Sequence, residues 1–426
     1  MLFLAAFLVF IFFAIRFFLQ RDPVKIVGIY SQPGKWYTLK FKLMRAIIAY
    51  RQRKQKKSKE STSKEDLMTS QWGGDGGERP PHEMEKKHDL PLSKPRAADA
   101  VFLNASSREG FYFILGTAQR HDNIINLFLV LRVPGVGTFV NKEMFSNTNV
   151  KSVHSPGNNE WRTESGFVLA CDEPMKRWRA SYNGPLYAPK GKKNFTATGA
   201  EPEPTDLEPI DAKFDFTWTN FGECFDFDRQ VSPTAIAHSL AIEPWSRPLF
   251  DKMRASHQTH YEQFGFLTGN LKLGYEEYHG LRMTSMRDHT ITGYRNWSDL
   301  RRYIMMVYHL EDGTCIHTSV VSMPETVFTS LEFGYVVLPD QKVVPVDRVH
   351  FSLANHGEDR HFPDAFHYSF EAASHTYNVD VKIVETVSFK MGLDLTAQVN
   401  ENMAEFVVNG VRGWGTAECE YRIQPY

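Results

Sequence analysis

Between Arg287 and Tyr303 the chain sets Arg287, Asp288, His289, Arg295, Trp297 and Tyr303 between two apolar runs, Leu271–Leu273 upstream and Ile304–Tyr308 downstream. Charges in such surroundings are paired or do chemistry, because an unpaired buried charge is costly. An acid beside an imidazole in an apolar pocket is equipment for proton transfer. The same residues equally make an internal Arg–Asp–His network that pins a strand crossing. Near the C-terminus, Gly413-Trp414-Gly415 leads into a final strand with Glu418 and Arg422 on one face. Its two glycines permit close approach of a neighbouring backbone.

Other constellations are weaker. The spacing of His257, His260, Tyr261 and Glu262 is not the HExxH pattern, and on a helix His257 shares a face with Tyr261 rather than with Glu262. His356, Glu358, Asp359, His361 and His367 fall in a loop before a strand, where solvation is the default. No metal and no cofactor is expected. Cys171, Cys224, Cys315 and Cys419 are far apart and form no CxxC, so reduced thiols are expected. There is no Walker loop and no dinucleotide fingerprint. The basic run near the N-terminus lacks stacked aromatics, so nucleic acid is not an expected partner.

The elements that position these residues are mostly strands. Gly110–Gly116, Ile125–Arg132, Gly166–Ala170 and Arg177–Tyr182 are bounded by Gly, Pro, Asn or Asp turns, the pattern of an antiparallel sandwich or barrel. Ser232-Pro233 starts a helical stretch, with Leu249, Met253, His257 and Tyr261 at helical spacing. Strands resume after Gly265, including Thr314–Ser322, Leu331–Leu338, Ala365–Phe370, Tyr377–Val384 and Ala404–Asn409. The expected fold is mainly β: an N-terminal barrel over 98–231, a helical connector over 232–264 and a C-terminal barrel over 265–426.

Ahead of the body, Leu2–Leu19 is apolar except for Arg16, and as a helix it spans roughly 27 Å, enough for a thin bilayer. It is expected to be a transmembrane anchor over 1–20. From Arg21 to Lys57 there are eleven Lys or Arg residues, and Asp22 is the only acid. The positive-inside rule then leaves the body cytoplasmic, most naturally at the endoplasmic reticulum. On that topology the triplets at Asn104, Asn194 and Asn296 carry no glycan. Residues 21–57 read as a basic juxtamembrane segment, lying on anionic lipid or serving as a plain stalk. Residues 58–97, with Lys/Glu/Ser runs, Gly73-Gly74 and Pro80-Pro81, read as a disordered linker.

Taken together, the Arg287-Asp288-His289 stretch and the Gly413–Glu418 ending resemble the duplicated lipocalin-like family of carotenoid 1,2-hydratases, tocopherol cyclases, AttH-type proteins and the fungal survival factor. Ala98–Phe102, Glu243-Pro244-Trp245, His260–Gln263 and Leu310–Gly313 also resemble the N-terminal region of animal phosphoenolpyruvate synthase-like proteins. Their phosphotransfer domains have no counterpart between Met1 and Tyr426, so phosphoenolpyruvate chemistry is not expected of this stretch. The resemblance implies two lipocalin-like barrels packed around an elongated apolar cavity. Thr290-Ile291-Thr292 replaces the signature's Ser-Trp-Gly, and Arg295-Asn296-Trp297 its Arg-Asp-Trp. The first function expected is membrane-anchored binding or transfer of a lipid-like molecule, with Arg287, Arg295, Trp297 and Tyr303 touching the ligand. The alternative is an enzyme of hydratase, isomerase or cyclase type acting on an isoprenoid or other unsaturated lipid, with Asp288, His289 and Glu418 catalytic.

Overall fold

The computed structural model describes residues 11–13, 15–57, 80–153, 159–195, 206–392 and 394–423. Strands β1 (Ala98–Ser106), β2 (Tyr112–Gln119), β3 (Ile124–Val133), β4 (Gly137–Val140), β5 (Asn149–Lys151), β6 (Glu160–Arg162), β7 (Val168–Glu173), β8 (Arg177–Pro189), β9 (Leu207–Asn220), β10 (Phe225–Asp226), β11 (Thr259–Leu273) and β12 (Glu276–Thr292) form the first sheet. Strands β13 (Arg302–Leu310), β14 (Cys315–Ser322), β15 (Leu331–Val337), β16 (Val343–His350), β17 (Ala365–Ala372), β18 (His375–Met391), β19 (Ala397–Val408) and β20 (Val411–Arg422) form the second.

Alternation of side chains selects these strands. In β9, Phe214, Phe216 and Trp218 are buried while Lys213 and Asp215 face water, the period-two pattern of a half-buried sheet. In the first sheet, pairing runs β12–β1–β2–β3–β4–β8–β9–β11 and returns to β12, so these strands close an antiparallel ring. Its narrowest seam is β4 against β8, joined through Val140 and Tyr187. The second sheet is a closed barrel of consecutive antiparallel strands, with β20 returning to β13. Two eight-stranded barrels of lipocalin type result.

Strand pairing corrects the expected boundaries. The helices Pro233–Ile242 and Arg247–Ala255 lie between β10 and β11, both members of the first sheet, so they interrupt the first barrel instead of joining two barrels. β11 and β12 belong to the first barrel, and the closed second barrel starts at Arg302, not at residue 265. Alternation of 265–292 is the same in either barrel; the partner strands, β9 for β11 and β1 for β12, decide the assignment. Ser232 caps the first of these helices by accepting from the Thr234 amide at 3.1 Å, with Pro233 at its first position. The second ends at Ala255, so His257 and Tyr261 share no helix face, and Tyr261 lies in β11. The four cysteines are free thiols.

The N-terminal segments also differ from expectation. The anchor Leu2–Leu19 falls largely outside the described residues; residues 15–19 are helical, and no described helix is long and apolar enough to cross a membrane. The basic segment is no plain stalk: Tyr37–Lys57 is a helix docked on Pro233–Ile242. The Tyr37 hydroxyl lies 2.6 Å from His238 Nδ1, and Lys40 Nζ donates to the Glu243 carbonyl at 2.7 Å. Met44 and Ile48 pack with Ile236 and Leu240. Of the supposed linker, 58–79 lies outside the described residues, but 80–97 is ordered and includes the short helix Pro81–Glu85, whose Met84 and Glu85 are buried.

Each barrel encloses its own core. The first is filled by Phe113, Trp161, Trp178, Phe216 and Trp218, among others, so aromatic side chains occupy its interior. Between the barrels lie two further apolar clusters. One joins Tyr112, Ile114 and Phe128 to Val387, Phe389 and Met403; the other joins Phe264 and Met286 to Val307 and Tyr335. Polar bonds cross as well: Asn104 Nδ2 donates to Thr416 Oγ1, and Trp414 Nε1 to Thr284 Oγ1, each at 2.9 Å. The Asn104 triplet is therefore buried in the fold.

The glycines before Glu418 sit at the closing seam of the second barrel. A Cβ on Gly415 would lie 2.1 Å from the Val307 carbonyl oxygen and 2.5 Å from Tyr308 Cα, backbone atoms of β13 that cannot swing aside. Gly415→Ala is expected to lower unfolding free energy by about 1–3 kcal/mol, the scale of overpacking, measured as a shift of the urea midpoint. An unchanged midpoint would show that the seam yields without strain.

Candidate functional site

β12 carries polar residues on both faces, and period two sends them to different places. Arg287 and His289 point into the first barrel; Asp288, between them, points toward the second.

The inward set is sealed. Arg287 is fully buried, its guanidinium 4.8 Å from the ring centroids of both Trp178 and Trp218. Arg287 Nη1 donates to Glu85 Oε1 at 2.9 Å, and Glu85 Oε2 accepts from Trp178 Nε1 at 2.7 Å and from the Met175 amide at 2.9 Å. The Tyr261 hydroxyl donates to Glu85 Oε1 at 2.6 Å and lies 2.8 Å from His289 Nδ1. Burial pushes the Glu85 carboxyl up, but Arg287, His289 and the Tyr261 hydroxyl outweigh it and hold it below the usual carboxylate range. His289 Nε2 lies 2.5 Å from Asp99 Oδ1, and the other Asp99 oxygen accepts from the His88 amide at 2.6 Å. Burial raises Asp99 too, yet His289 and His88 bring it down to about 2. Arg287 and His289 are thus the core of a closed network, without exposure to meet a ligand. Glu85 and His88, which complete it, come from the stretch that reads as linker.

The outward set is different in kind. It lies between the barrels, whereas the sequence reading places the whole cluster in the C-terminal one. Asp288 Oδ1 accepts from the Phe102 amide at 3.2 Å. Beside it on β11, His260 Nε2 lies 2.9 Å from Glu262 Oε1, and Glu262 Oε2 is 2.6 Å from His317 Nδ1 on β14. From the second barrel, Glu418 and Glu420 on β20, Glu401 on β19 and Tyr303 on β13 face the same side. Tyr303 donates its hydroxyl to Glu418. Arg295, in the segment joining the barrels, stacks on Trp297 at 5.3 Å, and its charge reaches Asp288, His260 and Glu418.

The electrostatics follow from burial and from like charges crowded together. Burial, with the Asp288 charge added, pushes Glu418 up to about 7 against the Tyr303 hydrogen bond and Arg295. Burial pushes Glu420 up to about 8, and neither of its oxygens has a hydrogen-bond partner. Glu401 is raised by burial and by Glu418, and Asp288 chiefly by burial. Glu262 moves oppositely: His317 and His260 overcome its burial and hold it at about 2. Around these groups Phe102, Phe227, Trp297, Met305 and Phe333 are only half-buried apolar side chains. The arrangement sets Glu418 and Glu420, raised by burial to about 7 and about 8, among half-buried apolar side chains, where a carboxyl can give a proton to a hydrophobic substrate.

Of the residues singled out in the sequence, Asp288, Glu418, Tyr303 and Arg295 come together, Trp297 flanks them, and Arg287 and His289 belong to the sealed interior. Glu85, Asp99, His317, Glu401 and Glu420 were missed. Glu420 had a signal, an acid two residues after Glu418 with Cys419 between them, in a strand whose alternate positions are apolar. Glu358, read as a solvated loop residue, instead pairs with Arg301 and Arg302 and accepts from the buried Tyr30 hydroxyl at 2.7 Å.

The chain belongs to the family of unknown function DUF8627, which it matches over residues 2–421. No curated protein sequence matches it. Among solved structures it is similar to a protein assigned as AttH from Nitrosomonas europaea, at TM-score 0.46 and 10% identity over 79% of this chain and 97% of that one. It is also similar to kievitone hydratase from Nectria haematococca, at TM-score 0.37 and 10% identity over 79% and 96%. CghA matches at TM-score 0.45 and 12% identity over 78% and 90%. The resemblance to animal phosphoenolpyruvate synthase-like proteins is not among what these comparisons show.

Two outcomes test this account. A chain starting at Ala98 lacks Glu85 and leaves the buried Arg287 without a carboxylate, only Gln263 Oε1 still accepting from it, a loss of about 3–5 kcal/mol. It is expected to be far less stable to urea than one starting at Pro80, and Glu85→Ala in the full chain should reproduce the loss; equal stability of all three would remove the ion pair from the core. Glu420 keeps its proton in the fold up to about pH 8, while the unfolded chain releases it near pH 4.3. The folded state then binds more protons between those values, so stability falls as pH rises from 5 to 8. Glu420→Gln should flatten that fall in urea titrations across the window, and an unaltered slope would contradict it.

Proposed function

We propose that the chain is an enzyme that protonates a carbon–carbon double bond of a hydrophobic, isoprenoid-like substrate at the junction between the barrels. The observation that carries this reading is Glu418, held at about 7 beside Asp288 under half-buried apolar walls. A general acid works best with a pKa near the operating pH. Glu418 gives its proton to one alkene carbon, leaving a cation at the other. Asp288 and the rings of Phe102 and Trp297 stabilise that positive charge. In a hydration, water adds to the cation and its surplus proton returns to the Glu418 carboxylate, restoring the acid. Loss of a proton from a neighbouring carbon to the Glu418 carboxylate instead gives isomerisation; attack by a second double bond forms a ring and moves the cation, which the same proton loss or water then discharges, giving cyclisation. Tyr303 orients the Glu418 carboxyl through its hydroxyl.

Binding or carriage of a lipid without conversion is the second reading. It is favoured by the same apolar walls, but it leaves the proton-bearing acids without a use. For either reading we propose a membrane setting at the cytoplasmic face of the endoplasmic reticulum. Support comes from the Arg21–Lys57 charge excess and from the exposed Leu39, Leu43 and Tyr50 on the basic helix.

Incubation with the polyprenol geranylgeraniol in heavy water tests the activity. Deuterium is expected in carbon-bound positions of the product by mass spectrometry, and Glu418→Gln should lower the rate by about 100-fold or more with folding unchanged. Polyprenol that is bound by both proteins and unconverted by either decides for carriage.

A further inference from the structure

His260, Glu262 and Asp288 each offer one donor atom to a common point, those atoms lying within 4.8 Å of one another. The outer atom of each is separately anchored. His260 Nδ1 is 2.7 Å from Thr290 Oγ1; Glu262 Oε2 is 2.6 Å from His317 Nδ1, whose Nε2 is 2.8 Å from Ser319 Oγ; Asp288 Oδ1 accepts from the Phe102 amide. Such outer contacts fix the tautomer and orientation of metal ligands. Strand register adds a second reason. Glu262 and Asp288 are direct cross-strand partners, and so are His260 and Thr290. Like charges directly opposite each other destabilise a sheet; His317 and His260 offset the Glu262 charge, and a cation bound between the two carboxylates would offset both. A tetrahedral ion about 2.1 Å from each donor would hold them roughly 3.4 Å apart, within the present spacing.

The other candidate trio, His88, Asp99 and His289, contrasts with it. There the Asp99, His88 and His289 donor atoms are engaged inside the sealed core; in the outward trio His260 Nε2 and Glu262 Oε1 share a hydrogen bond at 2.9 Å, whose proton a metal ion would displace. In the outward trio His260 is half-buried at the open junction.

We infer that His260, Glu262 and Asp288 form a divalent-metal site of one imidazole and two carboxylates, with a coordination position open toward the junction. One nitrogen and two carboxylate oxygens suit zinc, manganese or iron(II), and three protein ligands with a free fourth position are the arrangement of exchangeable, solvent-accessible zinc. Phe227, whose ring centroid is 4.6 Å from that of His260, covers one side. The site shares Asp288 with the proposed activity, so its test reads metal binding itself and not turnover.

The test uses the full chain, stripped with a chelator and titrated with Zn²⁺ or with Co²⁺ as a spectroscopic probe. One equivalent of Zn²⁺ by elemental analysis after desalting is expected, with a rise in melting temperature and a visible Co²⁺ absorption. Asp288→Asn keeps the side-chain shape and should lose at least about tenfold in affinity, the lower end of what even an outer partner of a ligand is worth. His350→Gln, an exposed histidine paired with Glu371, should change nothing. Because Glu262→Gln disturbs His317 and risks the fold, Thr290→Val serves as the second variant; it releases His260 Nδ1 and should weaken Zn²⁺ while leaving the metal-free melting temperature near its original value. Zn²⁺ that is not retained, or that binds Asp288→Asn and the unaltered chain alike, overturns the site.

Discussion

Everything in the junction depends on one strand having two faces. Residues 287 to 289 of β12 are consecutive, yet a pleated backbone cannot send neighbours to the same side. The arginine and the histidine are committed to the first barrel's core, where Glu85 and Asp99 pair with them. The aspartate is committed to the contact between barrels. A one-residue slip of β12 against β1 would place Asp288 among tryptophans and expel Arg287 from its cage, so the register Phe102–Asp288 is specified from both sides.

Because the inward pair is satisfied inside the first barrel, the junction is free to hold acids that are not. Glu401, Glu418 and Glu420 lie on adjoining strands of the second barrel, and burial leaves them reluctant to ionise. Arg295 near Glu418, and Arg302 and Arg422 near Glu420, do not offset that burial. The fold thereby separates two electrostatic regimes a strand's thickness apart: the Arg287–Glu85 ion pair within, and the carboxyls of Glu401, Glu418 and Glu420, raised by burial, without. Proton-transfer chemistry needs the second, and a stable barrel needs the first.

Much of the architecture was legible because half-buried strands declare themselves. Phe214-Asp215-Phe216-Thr217-Trp218 can be little else, and Ser232-Pro233 marks a helix start that the structure bears out. Partner choice was not legible. Residues 265–292 alternate correctly for either barrel, and nothing local says that β1 is waiting for them. The Pro81–Glu85 helix failed for the opposite reason: its composition is that of solvated chain, and a single glutamate entering a core leaves no periodic trace. Asp288, Tyr303 and Glu418 were identifiable as residue types out of place in apolar runs. Their separation from Arg287 and His289 followed from the strand period and could have been read from it.

The long wait of β1 for β12 bears on how the chain is made. Emerging from the ribosome, Ala98–Ser106 can pair at once with β2, but its other edge stays open until Thr284–Thr292 is synthesised. At ordinary elongation rates that interval is roughly ten to forty seconds. During it the nascent sheet presents an unpaired apolar edge, the kind of surface that recruits stray strands. The second barrel meets a shorter version of the same delay, since β13 must wait for β20. The first barrel cannot close before β12 is made, and the helical insertion between β10 and β11 lengthens the interval further.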